Sequence, residues 1–177
     1  MQINSKFGVG LMVASVLLSL LGTIGITIED SVESIPTPNV PNSVFFADDP
    51  VQDNPLSFLV SANADITWDR SDVFLVVGDS DKKAQCDGLN FIERTNQNTE
   101  LCTRSDNDFV AIGDDNSSGF SWSVQSGEYY VGIGSLNEIS GGSALNIDYE
   151  VELTLSAAGY YIMVLMLFSG FVLNRFQ

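Results

Sequence analysis

The chain has 177 residues, 45% of them apolar, with 23 acidic residues, seven basic residues and no histidine. This length allows one modest domain, and the lack of histidine removes the usual general base, the Ser-His and Cys-His nucleophile pairs and the commonest zinc and haem ligand. A net charge of −16 repels phosphate and argues against nucleic-acid binding. Mean hydropathy is nevertheless +0.16, so acidic and apolar residues must lie in different parts of the chain.

The first apolar segment follows a short tail, residues 1–6. No residue from Phe7 to Ile28 is charged, and a helix of this length reaches about 33 Å, enough to cross a bilayer core. A cleaved signal peptide is the alternative, but its apolar core is normally shorter, and no Ala-x-Ala site follows here. We therefore predict a retained transmembrane helix over residues 7–28.

Small residues share one side of this helix. At 100° per residue they fall within about 40° of one another, which favours close approach of a second helix in lipid. The predicted helix-packing seam consists of Gly8, Ser15, Ser19 and Gly22. Its partner is another subunit or the chain's own second apolar segment, which offers Ser169 and Gly170; alternatively, Gly and Ser are simply tolerated in such a helix.

All five prolines lie between Pro36 and Pro55. This density disfavours helices and central strands, so residues 29–56 are predicted to form a semi-rigid extracytoplasmic stalk. The alternative is an irregular first part of the domain, with Val44, Phe45 and Phe46 packed against it.

Residues 57–156 show a β pattern of short apolar runs separated by Asp, Asn, Gly and Ser. No window between Pro55 and Leu155 predicts a helix, and the final strand alternates strictly between apolar and polar residues. We expect a small antiparallel β-sandwich, jelly-roll-like in form. The predicted strands are Ser57–Ala62, Val73–Val77, Leu89–Ile92, Phe109–Ile112, Phe120–Val124, Tyr129–Ile133 and Leu145–Leu155.

Cys86 and Cys102 are the only cysteines, and 15 residues separate them. In an extracytoplasmic segment this pair predicts a disulfide, worth about 3 kcal/mol by loop closure. A redox-active pair is disfavoured, since the spacing is not Cys-x-x-Cys.

Two groups of loop aspartates raise the possibility of calcium, which prefers oxygen ligands. Neither group fits an EF-hand loop, and solvated turn formers are the simpler interpretation. Calcium is thus a possible cofactor, and no other is expected. The first group is Asp79, Asp81 and Asp87; the second is Asp106, Asp108, Asp114, Asp115 and Asn116.

Three further features have a binding and a structural interpretation. Trp68 and Trp122, with Tyr129 and Tyr130, suggest a sugar-stacking platform, although a sandwich of this size normally buries its tryptophans. Paired carboxylates suggest a glycosidase, but among 23 acids some pair always fits. Asn116-Ser117-Ser118 is a candidate glycosylation site.

The second apolar segment predicts a transmembrane helix over residues 157–173, followed by a short tail, residues 174–177. Every acidic residue lies between the two apolar segments, whereas Lys6 and Arg175 flank them. The positive-inside rule places both termini in the cytoplasm and residues 29–156 outside. No ionisable residue lies within either segment, which argues against a transport pathway.

Residues 120–155 resemble the closing hairpin of bacterial and archaeal pre-peptidase C-terminal modules, which are β-sandwiches. The matching residues are Gly127, Tyr129, Tyr130 and Val131 in one strand and Tyr149, Val151 and Leu153 in the next. The resemblance implies a non-catalytic extracellular appendage, and some such modules bind calcium or polysaccharide. This chain differs in lacking an attached enzyme and in lying between two apolar segments.

Together these features predict a non-enzymatic, membrane-anchored extracytoplasmic protein. We expect an accessory or structural subunit of a membrane or cell-envelope complex. Its partners would be the lipid bilayer and other membrane or envelope subunits, and no nucleic acid. The alternative is an extracellular calcium- or glycan-binding module.

Overall fold

The computed structural model describes residues 5–95, 100–137 and 144–175. The ends of the two predicted tails, residues 1–4 and 176–177, lie outside this range. The elements in chain order are α1 (Ser5–Ile24), β1 (Ile26–Pro36), β2 (Val44–Phe46), β3 (Val60–Trp68), β4 (Val73–Asp79), α2 (Ser80–Asp87), α3 (Phe91–Thr95), β5 (Ala111–Gly113), β6 (Phe120–Val124), β7 (Tyr129–Ser135), β8 (Ala144–Leu155) and α4 (Ala157–Arg175).

The strands form two four-stranded antiparallel sheets, in the orders β1-β8-β3-β6 and β2-β7-β4-β5. The sheets share a core to which β3, β4, β6 and β8 contribute buried side chains, among them Trp68, Leu75 and Trp122. The predicted antiparallel β architecture between two apolar helices is therefore confirmed.

Strand β4 is buried on both faces, which explains why its sequence does not alternate. Val73, Leu75 and Val77 face the shared core. Phe74 and Val76 belong to a second cluster on the other face of the sheet, together with Cys86 and Cys102. The segment between β4 and β5 thus covers the outer face of this sheet.

The predicted stalk over residues 29–56 is wrong for its first part. Residues 26–36 form β1, which pairs with β8 from Ile26↔Leu153 to Pro36↔Ala144. The prolines begin only where this strand ends, so they do not interrupt its hydrogen bonds. Val44 is fully buried, as the alternative interpretation expected.

The first helix ends at Ile24, four residues before the predicted boundary. Gly25 adopts a left-handed conformation with φ of +78°, and its N–H donates to the carbonyl of Leu21 at 3.0 Å. Such a glycine terminates a helix. The β-branched residues Ile26, Thr27 and Ile28 then continue as a strand, which their shape favours.

Two short helices replace a predicted strand and loop. Leu89–Ile92, predicted as a strand, instead contains the start of α3. Asn90 and Glu93 cap this helix reciprocally, each side chain accepting from the other's backbone N–H. Asp79 caps α2 by accepting from the N–H of Lys82 at 2.8 Å. These caps satisfy amides that a helix start leaves free.

Strand β3 begins later than predicted, at Val60 rather than at Ser57, and extends to Trp68. Residues 55–59 form a turn, in which the N–H of Leu59 donates to the carbonyl of Leu56 at 2.7 Å. Pro55 starts this turn, since it has no N–H to contribute to a ladder.

Candidate functional site

Helices α1 and α4 lie against each other, and both are long and apolar enough to cross a membrane by length and composition. Their backbones approach each other closely at Gly8 and Gly170. A Cβ atom on Gly8 would lie 2.8 Å from the carbonyl oxygen of Gly170, and one on Gly170 would lie 2.7 Å from that of Gly8. About two turns of α4 nearer the sandwich, the hydroxyl of Ser15 donates to the carbonyl of Met163 at 2.6 Å.

The structure places two of the four predicted seam residues, Gly8 and Ser15, against the chain's own second helix. Gly8 and Ser15 are buried, and a Cβ atom on Gly22 would lie 2.6 Å from the side chain of Leu155. Ser19 is half-buried, and its carbonyl accepts from the hydroxyl of Thr23. Of the two partners considered on α4, Gly170 is in contact, whereas Ser169 is exposed.

Each helix joins its strand through a single residue, Gly25 on one side and Ser156 on the other. Helix α1 leads into β1, β8 leads into α4, and the two strands pair close to the helices, at Ile26↔Leu153. The hydroxyl of Thr23 also lies 2.9 Å from that of Tyr160. The helix pair and the strand pair thus form one continuous element made of two segments, α1–β1 and β8–α4, with little slack between helix and strand.

Ser156 ties the turn at residues 55–59 to the start of α4. Its N–H donates to the carbonyl of Leu59 at 2.8 Å, and its hydroxyl donates to the carbonyl of Phe58 at 2.6 Å. Gly159 allows this closeness, because a Cβ atom there would lie 2.5 Å from the oxygen of Leu59. No local pattern in the chain predicts this contact, which joins residues about 100 positions apart.

Apolar side chains remain exposed around this junction. Leu56 and Phe58 in the turn are 52% and 59% exposed, and Ile26 at the start of β1 is 59% exposed. Ile26 lies two residues after the end of α1, and the carbonyl of Phe58 accepts a hydrogen bond from Ser156, the residue before α4. We call this group, with Ile24, the junction patch.

The predicted disulfide between Cys86 and Cys102 is present, and both residues are buried. Beside it, Lys82 and Asp106 form a buried ion pair at 2.6 Å. Asp106 also accepts from the backbone N–H groups of Cys102 and Asp108. Burial alone would raise the pKa of Asp106, but these hydrogen bonds and Lys82 outweigh it and hold the pKa below its usual value.

The aspartates predicted as calcium ligands have other partners or are spread apart. Within the described ranges, no three or more Asp, Glu or Cys residues are placed to hold a metal ion, and calcium binding stays a prediction. Asp79 caps α2, Asp81 is exposed, Asp87 pairs with Lys83, Asp106 pairs with Lys82, Asp108 lies 3.7 Å from Lys82, Asp114 pairs with Arg104, and Asp115 accepts from Ser117.

Hydrogen bonds explain one further pKa shift among these residues. The backbone N–H and the hydroxyl of Ser117 both donate to Asp115 and lower its pKa. The neighbouring Asn116 donates its amide to the carbonyl of Trp68 at 3.4 Å. Its glycosylation stays a prediction.

The tryptophans lie in the core, as the structural interpretation expected. Trp68 and Trp122 are 4% and 6% exposed. The indole N–H of Trp68 donates to the carbonyl of Val73 at 2.9 Å, and Trp122 packs edge-on against Tyr129. Their faces are therefore not free to stack on a sugar.

An acidic row crosses the outer face of the first sheet, and sequence reasoning missed it. Glu150 on β8 lies directly opposite Glu29 on β1 and Asp65 on β3. These residues line an open groove with Asp30, Asp148 and Tyr149. Burial, followed by the charge of Asp30, raises the pKa of Tyr149. Only the pairing of three distant segments creates this row.

Comparisons with known proteins do not assign a family. No family model matches the sequence, and the search of curated proteins finds no match. The resemblance to pre-peptidase C-terminal modules therefore stays a prediction.

Several solved structures show a weak likeness. A Bacillus endospore appendage protein, described as forming disulfide-linked pili, is 13% identical over 75% of this chain and 91% of its own, with a TM-score of 0.31. The tomato aspermy virus structure is 11% identical over 72% and 77%, with a TM-score of 0.37. A periplasmic g-type lysozyme inhibitor from Aeromonas hydrophila is 10% identical over 75% and 86%, with a TM-score of 0.24. These scores are too low to carry an argument.

Proposed function

We propose that the chain is a non-enzymatic, membrane-anchored structural or accessory subunit that holds a β-sandwich rigidly at the extracytoplasmic surface of the membrane. The observation that carries this proposal is the pair of one-residue junctions, Gly25 and Ser156, between paired helices and paired strands. A flexible tether would let the sandwich reorient, whereas these junctions hold it to the helix pair. Such a construction suits a fixed part of an assembly.

The proposed orientation places residues 29–156 outside and both termini in the cytoplasm. The disulfide supports it, because disulfides persist in oxidising compartments. The basic flanks Lys6 and Arg175 support it through the positive-inside rule.

We infer that the sandwich is a jelly roll. The pairings β1 with β8, β2 with β7, β3 with β6, and β4 with β5 support this, since they are those of one long hairpin. The additional pairings β3 with β8 and β4 with β7 then wrap this hairpin into two sheets.

A partner subunit would bind elsewhere than at the predicted helix-packing seam of α1. Gly8 and Ser15 of the seam on α1 contact α4, and Gly22 contacts Leu155 of β8, so partners would contact the lipid-facing sides of the helices or the sandwich surface. The acidic row on the outer face of the first sheet offers a surface of strongly negative charge for such contacts.

Topology and assembly are tested separately. Epitope tags at either terminus should become accessible only after the membrane is permeabilised; accessibility on intact cells would contradict the orientation. After mild detergent extraction, we expect a complex larger than one chain with its detergent. A strictly monomeric, partner-free protein would contradict the subunit role.

A further inference from the structure

We propose that the turn at residues 55–59 binds the lipid surface beside α4, with Leu56 and Phe58 inserted among the headgroups and upper acyl chains. The inference rests on the proposed function, because it requires that α4 enters a bilayer. It goes further by assigning a second lipid contact outside the spanning helices.

The first argument is position. The carbonyls of Phe58 and Leu59 accept from Ser156, the residue immediately before α4, and the oxygen of Leu59 packs on Gly159 in the first turn of that helix. If α4 spans the bilayer, its first turn lies at the membrane surface. The turn therefore lies at the same depth.

The second argument is chemistry. In a chain with 23 acidic residues, no residue from 54 to 64 is charged. Leu56 and Phe58 are more than half exposed, and Tyr161 on the adjacent helix turn is 66% exposed. Leu and Phe anchor peripheral segments to lipid surfaces, and Tyr is enriched at that depth.

The third argument is that several amides of the turn already have hydrogen-bond partners within it. The N–H of Ser57 donates to the carbonyl of Asn54, and the N–H groups of Leu59 and Val60 donate to that of Leu56. The side-chain amide of Asn54 donates to the carbonyl of Val60 at 2.7 Å. Pro55 carries no N–H. The turn can therefore enter a less polar environment without leaving these amides unpaired.

Binding of this turn has a consequence for the whole sandwich. The one-residue junctions hold the sandwich to the helix pair, and a second contact with lipid would limit how far the helix pair and the sandwich tilt together in the bilayer. The sandwich would then lie directly on the bilayer surface rather than at a distance from it.

The test uses the full chain reconstituted in phosphatidylcholine vesicles that contain lipids brominated near the ester end of the acyl chain, which quench nearby tryptophan. Phe58→Trp is the probe, and Leu56→Trp is a second probe in case the first perturbs folding. The wild-type protein supplies the background from the buried Trp68 and Trp122.

Two control variants separate the possible failures. Tyr161→Trp reports whether α4 is in lipid. Phe91→Trp is the control away from the membrane. The native Phe91 is 70% exposed and lies on α3, whose Arg94 donates to the carbonyl of Val44. Val44 pairs with Gly134, near the start of β4. This end of the sandwich is about 26 Å from the junction along β3.

We expect the added tryptophan at position 58 or 56 to lose at least about twofold more fluorescence than the one at position 91, as an inserted side chain should. Quenching at 161 with position 56 and position 58 no different from position 91 would overturn this proposal and leave the spanning helix intact. No quenching at 161 would contradict the proposed function itself, and the lipid-binding turn with it.

Discussion

At the scale of single residues, the buried ion pair between Lys82 and Asp106 stands out, because both side chains are about 5% exposed. Lys82 also lies 5.2 Å from the centre of the Phe109 ring. The pair joins α2 to the segment that follows Cys102, so it reinforces the same connection as the disulfide. Neither charge has water to stabilise it if the other is removed.

We predict that Asp106→Asn destabilises the protein by about 3 kcal/mol, because the buried Lys82 would lose its near, buried counter-ion and keep only the exposed carboxylate of Asp108 at 3.7 Å. The double variant Lys82→Met with Asp106→Asn should recover part of this loss. Asp108→Asn is the matched control: its carboxylate also lies near Lys82 but is 81% exposed. Urea unfolding measures all four proteins, and equal losses in the Asp106 and Asp108 variants would contradict the prediction.

The same pair predicts a pH dependence. The folded-state pKa of Asp106 is lowered, so its contribution to stability is fully present above the unfolded value of about 3.9 and is lost as the pH falls through the folded value. Below about pH 4, the wild-type free energy of unfolding should therefore decline more steeply than that of Asp106→Asn. Parallel pH profiles for the two proteins would argue against this assignment.

Glycines at the helix contact offer a second residue-level prediction. Gly170→Ala should destabilise the protein by about 1 to 3 kcal/mol, since overpacked contacts of this kind force backbones apart. The new Cβ would meet the backbone oxygen of Gly8 and the side chain of Met12. Gly10→Ala is the matched control, because nothing lies within 4 Å of its Cβ position. Thermal unfolding in detergent should separate the two variants.

At the scale of elements, the acidic row makes repulsion between strands the prominent feature of the first sheet. Like charges directly opposite one another destabilise a sheet pair. Glu150 faces Glu29 and Asp65, whereas Glu152 on the same strand and face pairs with Thr27 and Asn63, which are neutral. The chain therefore contains its own control.

We predict that Glu150→Gln stabilises the protein at low salt by up to about 1 kcal/mol, and that Glu152→Gln gains less. Raising the salt concentration to about 1 M should stabilise the wild-type protein, because screening shortens the reach of charge to about 3 Å. The salt effect should shrink in Glu150→Gln. A melting temperature that does not respond to salt would refute the repulsion.

The elements that sequence predicted well were those with a local signal. The alternation along β8 and the uncharged residues of α1 and α4 needed no knowledge of the fold. Helix α3 also had such a signal in the spacing of Asn90 and Glu93, which matches a capping box. Strand β1 was missed because hydropathy does not distinguish the end of a membrane helix from the apolar start of a strand. Gly25 followed by three β-branched residues was the available clue.

The candidate site, by contrast, depends on long-range pairing. The spacing of Gly8, Ser15, Ser19 and Gly22 predicted a packing face, yet it could not distinguish the chain's own helix from a partner's. The contact of residues 55–59 with Ser156 and the acidic row each join segments far apart in sequence. No local pattern encodes such proximity, since it arises only when β1, β3 and β8 have paired in the first sheet.

At the scale of the whole molecule, α1 is part of the folded structure rather than an appendage. It packs on α4 at Gly8 and Ser15, contacts Leu155 at Gly22 and leads directly into β1. Without it, Gly170 and the carbonyl of Met163 would lose these contacts. A removable signal peptide has no such role after cleavage.

We therefore predict that the mature protein keeps α1. The intact mass of the chain, extracted from its native membrane without added tags, should include residues 5–24, because the packed helix pair resists release of one member. A mass that corresponds to a chain beginning near Gly25 would contradict this.

Gly8→Leu in the same protein is the informative variant: its side chain cannot fit against the oxygen of Gly170, 2.8 Å from the Cβ position. If packing on α4 is what holds α1 in place, this variant should expose α1 to protease in detergent, whereas Gly10→Leu should leave it as resistant as in the wild type.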